Sequence, residues 1–372
     1  MKILYSCLSK SWGGLEMITL TSIQQLLKRD IKVELICSAE SRIHIEANNM
    51  GIMLHPIQAS GYFHPVTTIR LSLLIRNNNY SIVHTQSSKD LWLLVPALFL
   101  ANCKIPLFLT KHVGSFIVKK DFFHKLIYKR LTGIFAISTA IKNNLIETTP
   151  VKPQNIINLP NGIDTSRFDP EKTDGRKVRE EFKINQEEIV LGMLARFTPG
   201  KGHEEFLWAA RELNKEYKIL RYLIVGEPSR GESEYAEKIK LLAGNYELKN
   251  LIFTGFRADT PEVLAAMDIF TFPSHSESFG IALVEAMAMK RPSVCSNSEG
   301  VLDIAVDGET SYLFENKNAV DLKAKLKLLI DSEDSRNKFG ENARKRVMEN
   351  FEIESVTDKV LKIYQNEISR AS

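Results

Sequence analysis

The stretch SHSESFGIALVEAMA (residues 274–288) places Glu277 and Glu285 eight positions apart, around the start of an apolar helix. Gly280 is expected to begin that helix, so its first N–H groups would face an anion. A carboxylate would repel a neighbouring phosphate, whereas it accepts hydrogen bonds well from vicinal hydroxyls. The two glutamates therefore predict contacts with a neutral polyol beside a bound anion. The alternative is a helix cap with an incidental surface acid.

Short β-branched runs alternate with helical patterns along the whole chain, and this alternation predicts the fold class. Strands separated by helices of about 10–15 residues form parallel sheets with helices on both faces. We therefore expect an α/β protein with two doubly wound, Rossmann-like domains that face each other across a cleft. The predicted strands are 2–7, 32–37, 81–86, 106–111, 133–138 and 155–160 in the first half, and 188–196, 221–226, 250–255, 268–274 and 292–296 in the second.

The chain has 372 residues, which is too long for one hydrophobic core, so two domains are expected. Pro, Gly and Asp cluster in residues 159–175, which we interpret as the linker. The predicted domains are 1–165 and 166–350. A C-terminal helix, 351–372, follows the second domain and can cross back to pack on the first.

Composition indicates an ordinary globular protein, with 44% hydrophobic and 25% charged residues. The four cysteines are scattered without CxxC spacing, which favours reduced, buried thiols and a cytoplasmic location. The first twelve residues lack the apolar run of a signal peptide. The most apolar run, 91–101, is about half the length of a membrane span and is expected to form a buried helix.

Positive charge is concentrated in the first half of the chain. Residues 1–170 hold 19 Lys and Arg against 10 Asp and Glu, although the whole chain carries only +4. Much of the excess lies in residues 111–130, where lysines interleave with large apolar residues. This stretch is interpreted either as an amphipathic helix with a solvated basic face, or as a surface that contacts anionic lipid headgroups or an anionic acceptor. Nucleic acid is disfavoured because no binding motif accompanies the charge.

The loop SKSWGGLEM (9–17) has the composition of an anion-binding loop. Its adjacent glycines, Gly13 and Gly14, follow the first predicted strand and precede a helix. Backbone without a Cβ can approach an anion closely, and a helix N-terminus supplies free N–H groups. The spacing is not GxGxxG, so no dinucleotide fingerprint is present. The alternative is a tight turn.

The loop ARFTPGKGHEEF (195–206) ends a strand with Arg196 and places Lys201 in a turn before a helix. Walker chemistry is excluded, because Ala195 stands where a glycine is required and Gly202 follows the lysine where Ser or Thr is required. Two cations at a helix start still suit a diphosphate, and each charge-assisted bond contributes about 1.5–3 kcal/mol. The alternative is a solvated Arg and Lys.

Together these segments resemble a known family. ESFGIALVE (277–285) resembles the E-x7-E motif of retaining glycosyltransferases of the GT-B fold, in particular glycosyltransferase family four. Four further motifs occur in the family's order: WGGLE (12–16) resembles its glycine loop, NGID (161–164) its linker signature, RFTPGKG (196–202) its Arg…Lys phosphate pair, and LIFTGF (251–256) the strand beside the nucleotide base. The resemblance covers nearly the whole chain.

The resemblance implies a role for each matching residue. Glu277 would contact the donor sugar, Glu285 the ribose, and Arg196 and Lys201 the diphosphate. His112 would lie near the sugar, although Val113 follows it where the family often has Asp. His112, Glu277, Arg196 and Lys201 thus form the expected catalytic set. The remaining expected donor-binding residues are Gly13, Gly14, Phe256, Ser278, Phe279, Gly280 and Ile281.

The implied reaction is transfer of a sugar from a UDP- or GDP-sugar to an acceptor hydroxyl by front-face substitution, without a protein nucleophile. The first domain would bind the acceptor and the second the donor. The sequence has no DxD triplet and no His/Cys cluster with ligand spacing, so neither a metal nor a cofactor is expected. The expected partners are the nucleotide-sugar, a glycan or lipid-linked acceptor, and an anionic membrane surface through 111–130.

Two alternatives of the same fold stay open. One is a sugar-nucleotide epimerase, and the other is a non-catalytic nucleotide-sugar-binding subunit. Among transferases, the family's common duties and the basic first half favour surface polysaccharide or lipopolysaccharide synthesis, in the cytoplasm or peripherally at the inner membrane face.

Overall fold

The structure is a computed structural model that describes residues 1–58, 63–228 and 231–371. Its described residues divide into two compact units. One comprises Met1–Gly162 together with the C-terminal segment from Ile353, and the other comprises Ile163–Glu352.

The first unit contains a parallel sheet with strand order β3-β2-β1-β4-β5-β6-β7 among the described residues. Its strands are β1 (Lys2–Cys7), β2 (Lys32–Ser38), β3 (Met53–Ile57), β4 (Ile82–Thr85), β5 (Leu107–Lys111), β6 (Gly133–Ala136) and β7 (Ile156–Asn158). Helices alternate with them: α1 (Gly14–Leu27), α2 (Arg42–Asn49), α3 (Pro65–Asn77), α4 (Leu91–Leu100), α5 (Phe122–Lys129) and α6 (Thr139–Thr148). A short 3-10 turn, Pro153–Asn155, precedes β7.

The second unit contains a parallel sheet with strand order β10-β9-β8-β11-β12-β13. Its elements are α7 (Arg176–Glu181), β8 (Ile189–Leu194), α8 (His203–Leu213), β9 (Leu220–Val225), α9 (Ser233–Asn245), β10 (Leu251–Gly255), α10 (Thr260–Ala265), β11 (Ile269–Phe272), α11 (Ile281–Ala288), β12 (Ser293–Ser296), α12 (Val301–Ile304), β13 (Ser311–Phe314), α13 (Ala319–Ile330) and α14 (Glu333–Asn350).

The predicted class, two doubly wound α/β domains, is confirmed by these two sheets. Two strands were missed, β3 and β13. β3 contains Pro56 and is only partly buried, and β13 has just four residues. Each lies at an edge of its sheet, where one side of the strand lacks a partner and the burial pattern is weak.

The last helix, α15 (Ile353–Ala371), belongs to the first unit. Val356, Val360 and Tyr364 of α15 enter the hydrophobic core of that unit. The Tyr364 ring lies 5.1 Å from the ring of Phe108, measured between centroids. Arg29 at the end of α1 forms an ion pair with Asp358, with 2.9 Å between Nε and Oδ1.

Residues 111–130 do not form one amphipathic helix, which corrects the first interpretation of this stretch. Only Phe122–Lys129 is helical, because the Asp121 side chain accepts hydrogen bonds from the N–H groups of Phe123 and His124 and so starts α5 there. Upstream, Asn144 holds Ser115 in a non-helical conformation through both its amide atoms, at 2.7 and 3.0 Å.

The basic residues of 111–130 are not all at the surface. Arg130 donates to the carbonyls of Cys103 and Ile105, and Lys111 is buried. Lys120, Lys125 and Lys129 are exposed, as are several large apolar side chains: Phe116, Ile117, Val118, Phe122, Phe123 and Leu126.

The predicted helix at 91–101 is confirmed as α4, but it is not fully buried. Leu91, Leu94 and Leu98 face the core, whereas Phe99 and Leu100 are exposed. All four cysteines lie in the described part of the chain and are free. Three are buried, and Cys103 is half-buried, so the prediction of buried thiols holds for three of them.

Candidate active site

The topology brings two predicted loops to one place in the second unit. β8 and β11 are hydrogen-bonded neighbours, although β9 and β10 lie between them in sequence, so the winding of the sheet reverses at this pair. Open parallel sheets bind ligands beyond the carboxyl ends of the strands at such a reversal. The loops 195–202 and 273–280 follow β8 and β11 and lead into α8 and α11. They contain Arg196, Lys201 and Glu277.

Close packing joins these two loops. Gly202 has φ +78°, and a Cβ at this position would lie 2.2 Å from the carbonyl oxygen of Pro273. Gly200 also has positive φ, and its carbonyl accepts a hydrogen bond from the backbone N–H of His275 at 2.8 Å. The Pro-Gly-Lys-Gly turn therefore lies directly against the loop that follows β11. The N-termini of α8 and α11 start from this shared edge.

Lys201 and Glu277 form an ion pair, with 2.5 Å between Nζ and Oε1. Both side chains are mostly buried, at 23% and 16% exposure. The sequence predicted both residues as catalytic but did not predict that they touch. A lysine ammonium has three N–H donors, so Lys201 can still donate to a bound anion while it holds the glutamate.

The backbone around Glu277 is fixed by a third segment. The carbonyl of Glu277 accepts from the N–H of Gly300 at 3.0 Å, and a Cβ on Gly300 would lie 2.6 Å from the carbonyl of Ser278. The hydroxyls of Ser296 and Ser298 donate to the carbonyl of Ser274, at 2.5 and 3.2 Å. These contacts come from the loop after β12, which the sequence analysis did not single out.

Arg196 begins the loop after β8. Its side chain is exposed, and its carbonyl accepts from the N–H of Thr198 at 2.8 Å. Ala195 precedes it, and a Cβ on Gly226 would lie only 2.0 Å from the carbonyl oxygen of Ala195. The Arg196 backbone is thus held while the guanidinium reaches the surface at the edge where α8 starts.

The start of α11 offers backbone rather than side chains. Gly280 is the N-cap with φ +118°, and Ile281 is the first helical residue. The side chain of Phe279 is buried against Phe351, with ring centroids 5.8 Å apart, so Phe279 can present only its backbone. Ser278 is half-buried. Gly280 has no side chain with which to cap α11, and the N–H of Leu283 donates to the Gly280 carbonyl at 3.1 Å, so the N–H groups that a ligand could use are those of Ile281 and Ala282.

Glu285 lies on the second turn of α11. Burial raises the pKa of its carboxyl to about 7, and the positive charge of Arg167 opposes this shift. Glu285 therefore titrates near neutral pH, in contrast with an ordinary glutamate.

The structure does not bring every predicted donor residue to Lys201 and Glu277. Phe256 follows β10 and is 67% exposed, and β9 separates β10 from β8. Gly13, Gly14 and His112 belong to the first unit. There, Gly13 is the N-cap of α1 with an extended backbone, and a Cβ would meet nothing closer than Glu16 Oε2 at 3.8 Å. Packing within the unit therefore does not require a glycine at 13.

His112 follows β5 and is buried. Its Nε2 lies 2.8 Å from Oε1 of Gln86. Burial, with a smaller effect of Lys111, lowers the pKa of His112 to about 4. His112 is therefore neutral at physiological pH.

His275 lies two residues before Glu277 and holds that loop in place. Its Nε2 lies 2.8 Å from Oε1 of Glu205 on α8, and its carbonyl accepts from Asn316 at 2.7 Å. Through these contacts it ties α8 to the loop that carries Glu277.

The described residues contain neither a metal-binding cluster nor a membrane-spanning helix. No three His, Cys, Asp or Glu side chains gather there as a metal site would require. No helix in the same residues combines the length and the apolar character that a membrane crossing needs.

Known families and structures match both units. Residues 12–167 match the sequence model described as "Glycosyltransferase Family 4", and residues 174–346 match "Glycosyl transferases group 1". The glycosyltransferase of Rickettsia africae has 24% identity and a TM-score of 0.90, with 100% of this chain and 99% of that chain covered. Anabaena HepE, solved with UDP and glucose, has 20% identity and a TM-score of 0.83, with 98% and 99% covered.

The curated relatives include the capsular polysaccharide biosynthesis glycosyltransferase CapM of Staphylococcus aureus, 28% identical over 63% of this chain and 61% of that protein. The UDP-Gal:alpha-D-GlcNAc-diphosphoundecaprenol alpha-1,3-galactosyltransferase of Escherichia coli is 27% identical over 80% of this chain and 78% of that protein. The alignments thus span less than two thirds of CapM and of an uncharacterised glycosyltransferase of Methanocaldococcus jannaschii, of which 60% is covered.

Two parallel, doubly wound sheets with this similarity define the class as the GT-B fold. The chain belongs to the GT-B glycosyltransferases, with a family-four domain followed by a group-1 domain.

The packing of the two loops generates a stability prediction. Gly202→Ala would place a Cβ 2.2 Å from the Pro273 carbonyl at a positive φ, so we expect the free energy of unfolding to fall by about 1–3 kcal/mol. Urea denaturation of the full chain measures this change. Gly244→Ala is the matched control, because a Cβ there meets nothing within 4 Å. Equal stabilities of Gly202→Ala and the parent would contradict the described packing.

Proposed function

We propose that the chain is a retaining, metal-independent glycosyltransferase that moves a sugar from a nucleoside diphosphate donor to an acceptor hydroxyl. The observation that carries the proposal is the Lys201–Glu277 pair at the edge from which α8 and α11 begin. This arrangement combines a cation, helix N-termini and a hydroxyl-accepting carboxylate, which are the groups that an anionic leaving group next to a sugar requires.

The leaving group is the first requirement of the reaction. When the bond between the anomeric carbon and the phosphate oxygen breaks, the electron pair goes to the diphosphate. Lys201, Arg196 and the free N–H groups at the start of α11 supply positive charge for that anion. In this proposal they do the work that a divalent cation does in other transferases.

The sugars of the donor are the second requirement. Glu277 pairs with Lys201 through Oε1, and its carboxylate retains further lone pairs for hydroxyls of the transferred sugar. Glu285, on the second turn of α11, would accept hydrogen bonds from the ribose hydroxyls. The partial burial of both acids favours these contacts, because hydrogen bonds to a carboxylate are stronger away from bulk water.

Acceptor attack is the third requirement. The acceptor oxygen forms the new bond to the anomeric carbon on the face that the phosphate leaves, and its proton passes to the departing phosphate oxygen. No protein nucleophile is needed. His112 of the first unit would lie near the transferred sugar, and the glycines at 13 and 14 would complete the binding of the phosphates.

Relatives support the substrate classes. HepE has been solved with UDP and with UDP-glucose, and the E. coli relative is named for a UDP-galactose donor and a diphosphoundecaprenol-linked acceptor. The Campylobacter jejuni relative is also named for a diphospho-undecaprenol-linked acceptor, and CapM for capsular polysaccharide. We infer a UDP-sugar donor and a lipid-linked glycan acceptor in surface polysaccharide synthesis.

A lipid-linked acceptor would place the chain at a membrane surface. Residues 113–129 expose several large apolar side chains together with Lys120, Lys125 and Lys129. Apolar side chains beside lysines match the chemistry of an anionic bilayer interface. We infer that this segment makes peripheral contact with the inner membrane face.

Donor identity can be tested by thermal shift with UDP-glucose, UDP-N-acetylglucosamine and GDP-mannose. All three are compared at one concentration, so the donor with the lowest Kd gives the largest shift, and a donor present at 100 times its Kd stabilises the fold by about 2.7 kcal/mol. NMR of the product then decides the reaction. An α-linked glycoside from an α-linked donor supports the proposal, and a free, epimerised sugar refutes it.

Lys201→Ala removes the cation assigned to the leaving group. We expect turnover to fall about 100-fold or more, because one preorganised electrostatic contact contributes on that scale. Steady-state assays with the identified donor measure the change. Lys249→Ala, an exposed lysine in the same unit, is the control and should retain parental turnover. Parental turnover in Lys201→Ala would remove this residue from the site.

Donor affinity should depend on pH through Glu285. Its folded pKa of about 7 means that the carboxylate, which accepts from the ribose, forms only as pH rises through 7. We expect the Kd for the UDP-sugar to fall about tenfold between pH 6 and pH 8. Calorimetric titrations measure this, and Glu285→Gln should flatten the profile while the exposed control Glu234→Gln keeps it. A flat parental profile would contradict the ribose assignment.

Membrane contact can be measured by sedimentation with vesicles that contain anionic lipid. The parent should bind them and lose binding as salt rises, since lysines provide part of the attraction. Phe116→Ser combined with Phe122→Ser should release the chain. Leu241 is an exposed apolar residue of the second unit, and Leu241→Ser should leave vesicle binding unchanged. Binding that ignores both lipid charge and the double variant would reject the inference.

A further inference from the structure

A buried chain of hydrogen-bonded side chains ends at His112 in the first unit. His112 Nε2 lies 2.8 Å from Gln86 Oε1, and Gln86 Nε2 lies 3.5 Å from Nε2 of His84. The other ring nitrogen of His84, Nδ1, contacts the hydroxyl of Tyr364. All four side chains are more than nine-tenths buried. They connect the ends of β4 and β5 with α15, which lies more than 200 residues further along the chain.

The direction of the chain follows from the Gln86 amide. Its nitrogen faces Nε2 of His84 and can only donate, so Nε2 of His84 is an acceptor. His84 is neutral, because burial and the nearby His112 lower its pKa to about 3. A neutral imidazole carries one proton, so His84 holds it on Nδ1 and donates it to Tyr364.

The remaining nitrogen of His84 is therefore an acceptor. Its Nε2 receives the hydroxyl of Thr110 at 2.8 Å and faces the amide nitrogen of Gln86. This orientation of the Gln86 amide leaves its oxygen toward His112, which must donate from Nε2. His112 is also neutral, so its Nδ1 keeps an unprotonated lone pair.

The chain of donors thus runs in one direction, from His112 through Gln86 and His84 to Tyr364. Every internal donor meets an acceptor, as buried polar groups require. His84, Gln86 and His112 border a cavity of about 50 Å³ under α15. Tyr364 also packs against the ring of Phe108, so its hydroxyl is held in place by the core.

We propose that Tyr364, His84 and Gln86 are positioning residues for His112, and that they hold its proton on Nε2 and leave Nδ1 as a hydrogen-bond acceptor. An acceptor at Nδ1 selects a ligand hydroxyl, because an ionised phosphate oxygen has no proton to donate. The identification of that hydroxyl as one from a sugar rests on the function proposed above. The assignment of the tautomers does not rest on that function.

The tautomers can be read from long-range ¹H–¹⁵N NMR spectra of the full chain at pH 7 without any ligand, with signals assigned by single histidine variants. We expect His112 to be protonated on Nε2 and His84 on Nδ1. The opposite tautomer at either residue, or an imidazolium at either, would overturn the proposal.

Two variants test the link to function. Tyr364→Phe keeps the aromatic ring and removes the acceptor of His84, so we expect mixed tautomers at His84. Gln86→Leu removes the acceptor of His112 without touching α15, and we expect mixed tautomers at His112. In both variants kcat should fall about tenfold, which is at the low end of the effect of removing a side chain that orients a functional residue. The KM for the donor should change little. Tyr222→Phe is the matched control, since its buried hydroxyl bonds within the second unit.

The outcomes separate the two proposals. Unchanged tautomers in both variants refute the positioning role even if turnover falls. Tautomers that shift as expected in a chain without any glycosyl transfer support the hydrogen-bonded chain and refute the proposed function. Shifted tautomers with parental kcat show that the chain orders His112 but does not position it for the reaction, and this also refutes the proposal.

Discussion

The contact between the turn at 198–202 and the loop at 273–277 is the constraint on which the second unit's site depends. Only a residue without a Cβ fits at 202, because the Pro273 carbonyl occupies that space. The approach lets His275 donate to the Gly200 carbonyl and brings Lys201 onto Glu277. The cation and the acid come from loops more than 70 residues apart, and the reversal of strand order between β8 and β11 makes them neighbours.

The first unit is built around a different constraint, which is burial of polar groups. Its core contains His84, His112 and Gln86, and each would cost free energy if left without a partner. The hydroxyl of Tyr364 on α15 is the hydrogen-bond partner of Nδ1 of His84. This gives α15 two physical roles in the described unit: it covers apolar surface of the sheet, and it terminates the hydrogen-bonded chain.

Local sequence was sufficient for most of the fold. The alternation of β-branched runs with helical patterns identified eleven of the strands and the doubly wound class, because buried parallel strands are apolar throughout and easily recognised. β3 and β13 escaped because neither has a continuous apolar run: β3 contains His55 and Pro56, and β13 has only four residues. The helical interpretation of 111–130 was wrong for a comparable reason: Asn144 and Asp121 impose breaks that apolar periodicity does not reveal.

The sequence by itself predicted which residues would carry the chemistry of the family: the glycines, Arg196, Lys201, Glu277 and Glu285 all stand in motifs that are continuous in the chain. Only the tertiary structure decided that Lys201 pairs with Glu277, that burial moves the pKa of Glu285 to about 7, and that Tyr364 reaches His84. Motifs encode residue type and local conformation. Pairing, desolvation and hydrogen-bond direction depend on atoms from distant segments, and these meet only when the sheets and helices pack.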